Sequence, residues 1–206
     1  MLEHFIMESP TTPGASVVAP ERWRDRIGLV AVIALAHMFL IWLGFGLREA
    51  GNVPAVIWPA AGLSFAVLRL SAPRLWPMLI GSQLLVEFGM RVLLQHPFVP
   101  QIAALFTATN GASALVAVSI VRVLAPDTTR SDLRGALCFF LATATGALAG
   151  AVLGVTLRYG SIPSTLNNMN VLQVWWAGNW LGAISLGPVI FLWFQNLETG
   201  NLCEHN

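Results

Sequence analysis

The sequence predicts an all-α fold, a polytopic bundle of about six membrane-spanning helices. Three observations carry that expectation. Of 206 residues, 56% are hydrophobic and 10% charged, whereas a soluble domain is about 25% charged. The mean hydropathy is +0.70. The apolar residues also fall into successive runs near the ~20 residues that a spanning helix requires, parted by short polar segments.

The first run, Ile27–Leu47, follows Arg22, Arg24 and Arg26 and holds His37 as its one titratable group. It is too long for a signal-peptide core, and no small-x-small site follows it, so it reads as a retained span. Residues 1–26, with Pro10, Pro13 and Pro20, read as a disordered arm before it. Span 2 is Val53–Leu70. Pro54 and Pro59 remove backbone donors near its start and predict a broken Trp-Pro beginning at Trp58-Pro59, with a regular helix only after Gly62. Span 3 is Leu75–Leu94 and carries Glu87 and Arg91. Span 4 is Val99–Val123, with Gln101, Asn110 and Arg122. Ser131 is placed to cap span 5, Leu133–Leu157. A polar, asparagine-rich loop is expected over Arg158–Asn170, then span 6, Val171–Gln195, and a short cytoplasmic tail, residues 196–206. Residues 27–195 thus form one transmembrane domain.

With the N-terminus inside, inner segments hold eight arginines and outer segments three, counting Arg91 with the outer ones. That bias predicts cytoplasmic N- and C-termini. Trp23, Trp76, Trp175, Trp176 and Trp193 lie near span ends, where an interfacial aromatic belt is expected. The net charge of +1 gives no footprint for nucleic acid. Cys138 and Cys203 are far apart and suggest neither a disulfide framework nor a metal site. No catalytic triad, phosphate loop or ligand cluster is recognisable, so no catalytic residue, metal or cofactor is expected.

Several polar and small residues stand out inside the spans. Gly146, Gly150 and Gly154 share one face of span 5, and Gly178 and Gly182 one face of span 6. Such faces let another backbone approach closely, either within the bundle or in a homodimer. His37 reads as a packed core histidine rather than as a proton carrier or metal ligand, since no second His or Cys lies at ligand spacing. Asn110 and Asn179 read as interhelical hydrogen-bonding groups or as pocket groups. Counted along helices from the outer ends, Trp58 lies ~8 Å deep, Asn179 ~12 Å and Asn110 ~16 Å. Glu87 falls ~12 Å from the same boundary of a ~30 Å core, and Arg91 lies one turn beyond it, near the boundary, where it can snorkel. An i,i+4 pair returns only about 0.5 kcal/mol, too little to offset a charge near the bilayer centre at roughly 3 kcal/mol. Glu87 is therefore expected to be protonated or to face a polar cavity. Trp58, Pro59, Gly62, Glu87, Arg91, Asn110, Trp176 and Asn179 make up the candidate ligand site.

Ile57-Trp58-Pro59-Ala60-Ala61-Gly62, then Arg74-Leu75-Trp76-Pro77 and Gly81, resemble the opening of the type-one membrane-associated sensor domain of the MASE family. Asn110 with its small and apolar followers resembles the next block. Trp175-Trp176-Ala177-Gly178-Asn179-Trp180-Leu181-Gly182 through Pro188 resembles the late block, WWxGDxxG…P. The likeness covers roughly residues 27–195. Position 179 is Asn where the family commonly has an acid. The resemblance implies a bacterial inner-membrane sensor module that binds a small ligand or membrane partner. It would signal through a histidine kinase of a two-component system or through a diguanylate cyclase making cyclic di-GMP. Members typically carry more spans and a cytoplasmic output domain, so here the output is expected in a separate protein. A substrate-binding transporter subunit is the rival reading, and an intramembrane enzyme a third, disfavoured by the lack of paired catalytic groups. The expected partners are the lipid bilayer and a signalling protein or a second copy of the chain.

Overall fold

The computed structural model describes residues 23–46, 57–94, 100–125, 133–160 and 166–203. These form six α-helices: α1 (Trp23–Gly46), α2 (Pro59–Leu70), α3 (Trp76–Leu93), α4 (Pro100–Leu124), α5 (Leu133–Tyr159) and α6 (Leu166–Cys203). A 3-10 turn, Pro73–Leu75, joins α2 to α3, and there is no strand among the described residues. The all-helical bundle is the expected fold class.

Four helices are long and apolar enough to cross a bilayer, over Ile27–Gly46, Pro100–Leu124, Leu133–Tyr159 and Met169–Phe191. The protein is therefore a membrane protein. The other two helices differ for physical reasons. α3 has 18 residues, but its inward face carries Gln83, Glu87 and Arg91, all buried, which lowers its apolarity. α2 has 12 residues, ~18 Å of helix against a ~30 Å hydrocarbon core.

α2 is the centre of the bundle. Every residue of it except Ala61 is buried, as expected of a helix apolar on nearly all sides. It packs on α1, α4 and α6, while α5 pairs mainly with α4 and α6. Phe65 and Leu68 of α2 form the main core with Leu75, Leu79, Ala117, Val118 and Val121. Phe65 meets Phe139 of α5 and Phe191 of α6 edge-on, at centroid distances of 5.3 and 5.9 Å.

Some boundaries depart from the sequence reading. Residues 23–26, assigned to the arm, belong to α1; residues 1–22 lie outside the described part, as does Pro54. The expected loop Arg158–Asn170 is shorter, because α5 continues through Tyr159 and α6 begins at Leu166. The expected tail is also helical as far as Cys203. Polar residues close to a span end do not by themselves stop a helix, and α6 continues even through Gly200; Gly160, at φ +69°, is where α5 does stop. Three of the belt tryptophans are packed into the bundle. Trp175 is buried against Gly154 and Phe106. The Trp76 Nε1–H donates to the Leu68 carbonyl at 2.9 Å, and the Trp176 Nε1–H to that of Ala144 at 3.0 Å. Trp193 is exposed.

Candidate functional site

A helix that ends inside a bilayer must have its backbone satisfied by protein. At its N-terminal end the chain breaks at Trp58-Pro59 as expected, with Trp58 outside helical geometry at φ −117°, ψ 85°. However, α2 is regular from Pro59 rather than only after Gly62, because a proline is tolerated at the first helical position. The Trp58 amide donates to the Gly178 carbonyl of α6 at 2.9 Å, and the Ala61 amide to the Trp58 carbonyl at 3.0 Å. The Trp58 indole lies on Gly44 of α1 and meets Phe45 edge-on at 5.8 Å. The break is thus sutured to α6 by its backbone and to α1 by its ring.

Glycine is required at this suture. A Cβ on Gly182 would run into the Trp58 carbonyl oxygen, and one on Gly62 would come 2.5 Å from the Gly182 oxygen. The span-5 glycines hold α5 equally close. A Cβ on Gly146 would strike the Ser113 carbonyl oxygen of α4, and one on Gly150 would strike the Ser113 hydroxyl and lie 2.6 Å from the Thr109 oxygen. A Cβ on Gly154 would lie 2.7 Å from the Trp175 ring.

At its other end α2 is closed by side chains. Ser71 turns extended, and its amide donates to the Val67 carbonyl. Arg122 of α4 sends Nη2 to the carbonyls of Ser71, Leu68 and Arg69 at 2.8, 3.2 and 3.4 Å. Its guanidinium also sits 4.7 Å from the Trp76 ring centroid. A cation at a helix C-terminus satisfies orphan carbonyls and complements the helix dipole.

Between these ends, Asn110 and Ser113 of α4, Thr143 of α5 and Asn179 of α6 line a chamber against Ala61 and Phe65. Its volume is about 10 Å³. Thr143 returns its hydroxyl to the Phe139 and Phe140 carbonyls of its own helix, at 2.8 and 3.0 Å. Beside α2, Gln83 of α3 donates Nε2 to the Ser64 hydroxyl at 3.0 Å, and Ser64 donates to the Ala60 carbonyl at 2.9 Å. Glu87 lies one turn beyond Gln83 on α3 and is 2% exposed.

Of the eight candidate ligand residues, Asn110 and Asn179 meet in the chamber. Trp58, Pro59 and Gly62 form the suture. Arg91 is buried rather than snorkelling, with its guanidinium 5.2 Å from the Phe106 ring centroid of α4. Trp176 faces α5 and stacks on Trp180 at 5.6 Å, away from the chamber lining. His37 is buried in α1. No group of three or more His, Cys, Asp or Glu residues able to hold a metal occurs among the described residues. The sequence reading passed over Ser113, Arg122 and Gln83 as site groups. Ser113 had a signal, since it lies three residues after Asn110 and so on the same helix face. Arg122 had none, because an arginine ending an apolar run is equally well placed to snorkel.

A short helix broken at both ends within longer spans, with buried polar groups gathered beside it, defines a polytopic helical membrane protein with an internal polar site. The family profile MASE1 matches residues 28–199, and the chain belongs to this family of membrane-associated sensor domains. Domains of this family sense and are not catalytic. No curated protein and no solved structure matches the chain.

Proposed function

We propose that the chain is the input module of a bacterial inner-membrane signalling system. It binds a small ligand or membrane partner near the Trp58 suture and passes the signal to a histidine kinase or diguanylate cyclase. The supporting observation is that α2 is held by α6 at one end, through Trp58 and Gly178, and by α4 at the other, through Arg122. A change at the suture is, in this reading, carried along buried α2 to the end that Arg122 holds. In this reading Trp58, Pro59, Gly62, Glu87 and Arg91 shape the input region, and Glu87 supplies its polar anchor. A homodimer is a second possible partner arrangement.

The test is co-purification of the tagged chain from its native membrane, with a kinase or cyclase identified by mass spectrometry and its output measured in cells. Glu87→Gln, which keeps shape and removes charge, is expected to fold normally and to abolish the output response. Recovery of a transport ATPase instead would favour the rival reading, and normal output from both Glu87→Gln and Glu87→Leu would remove Glu87 from the site.

The orientation proposed from the arginine bias places both termini in the cytoplasm. Reporter fusions at Asn168 and after Gln195 flank the span Met169–Phe191 and are expected to report opposite sides, Asn168 outside. The same side for both, or the reverse assignment, would exclude this topology.

A further inference from the structure

We infer that the chamber between Asn110, Ser113 and Asn179 is the binding site of a single water molecule that bridges α4 to α6 beside α2. The inference goes beyond the sensor reading and does not depend on it.

The residues make the site. Asn110, Ser113 and Asn179 are 4%, 7% and 2% exposed. The Asn110 Oδ1, Ser113 Oγ and Asn179 Nδ2 atoms are buried and find no protein partner among the described residues. All three residues line one chamber of about 10 Å³, and a single water needs about 10–15 Å³ and two to four polar partners. The groups are complementary to it: Asn110 Oδ1 accepts one water hydrogen, Asn179 Nδ2 donates to the water oxygen, and the Ser113 hydroxyl gives or takes the third bond. Turning either amide by half a rotation exchanges donor for acceptor and leaves the number of bonds unchanged. The rest of the wall is apolar except for Thr143, whose hydroxyl proton is already given to the Phe139 and Phe140 carbonyls.

The occupant is small and neutral. Gly146 and Gly150 press α5 onto Ser113, and Gly62 presses α2 onto Gly182; the resulting space excludes an organic ligand. A metal cation is disfavoured because no carboxylate lines the chamber, and neutral donors repay little of the desolvation of an ion inside a bilayer. The two amides therefore meet through a water, which makes them positioning residues for the α4–α6 contact rather than ligand contacts.

Hydroxyl-radical footprinting of the purified full-length protein, generated by X-ray radiolysis of isotopically labelled water, tests this. Phe65 lines the chamber and is 2% exposed. It is expected to be oxidised despite its burial, whereas Leu68, at 0% exposure and outside the chamber lining, is not. Asn179→Leu fills the chamber with methyl groups, and the Phe65 label is expected to fall to the Leu68 level. Should that variant fail to fold, Ser113→Ala removes one of the three partners with little change of shape and is expected to reduce the label. An unlabelled wild-type Phe65 means a dry chamber and overturns the proposal. So does a label unchanged in every folded variant, since bulk water would then be reaching Phe65 by another path. Stabilisation by sodium over choline chloride, lost in Asn110→Ala, overturns it in favour of a cation.

Discussion

Gly182→Ala is expected to lower the melting temperature in detergent by roughly 10 °C, although alanine is the better helix former by about 1 kcal/mol. The added Cβ would occupy the space of the Trp58 carbonyl oxygen, which is backbone and has no rotamer to change. α2 must then move away from α6, and the 2.9 Å bond from the Trp58 amide to the Gly178 oxygen is lost. Overpacking costs about 1–3 kcal/mol, and an amide left unpaired in a dry interior about 1–3 kcal/mol more. At about 2–4 °C per kcal/mol for a chain of this length, the sum gives the expected shift. Gly81→Ala is the control, because a Cβ there meets nothing within 4 Å; it is expected to leave the melt unchanged or raise it. Equal melting of the two variants would mean that α2 and α6 are not in contact in the membrane protein.

Arg122→Ala should destabilise by about 3 kcal/mol, from carbonyls left unpaired at about 1–3 kcal/mol each and a lost cation–π contact of about 0.5–1 kcal/mol. The loss is local, at the turn where α2 gives way to Pro73–Leu75, so amide exchange is expected to quicken at Leu68–Leu75 before it does in α5. Arg122→Lys retains the charge and can reach one or two of the three carbonyls, but it cannot stack on Trp76 in the same planar way. It is expected to fall between wild type and alanine. Wild-type exchange in Arg122→Ala would show that α2 ends without help from α4.

The membrane fold was legible because its signal is compositional and repeats along the chain. The break at Trp58-Pro59 was legible as well, because proline acts locally. Legibility stopped where depth along a helix had to become direction around it. Asn110 and Asn179 were placed in a common layer by counting residues, and they do meet. Trp176 was grouped with them in the candidate site but points toward α5. Trp76, Trp175 and Trp176 sit where a belt tryptophan would sit, yet they pack inward, because position along a span does not say which side of the helix faces lipid. The closure of α2 by Arg122 joins positions more than fifty residues apart. A side chain reaching a distant carbonyl leaves no periodicity in a sequence.

The length of α6 has a mechanical consequence. Its 38 residues make a rod of ~57 Å, and the 12 residues after Phe191, where the bilayer-crossing window closes, extend it by ~18 Å. A twist applied where Gly178 holds Trp58 is carried down that rod as a change of angular phase. One added residue beyond Phe191 would turn the far end by about 100°, and a second by about 200°, whereas four would nearly restore the original facing. Pro188 is the point where the rod can bend, since it lacks the amide that would bind the Ile184 carbonyl. The rod is therefore jointed within the membrane and unbroken beyond it, a shape suited to conveying rotation rather than displacement.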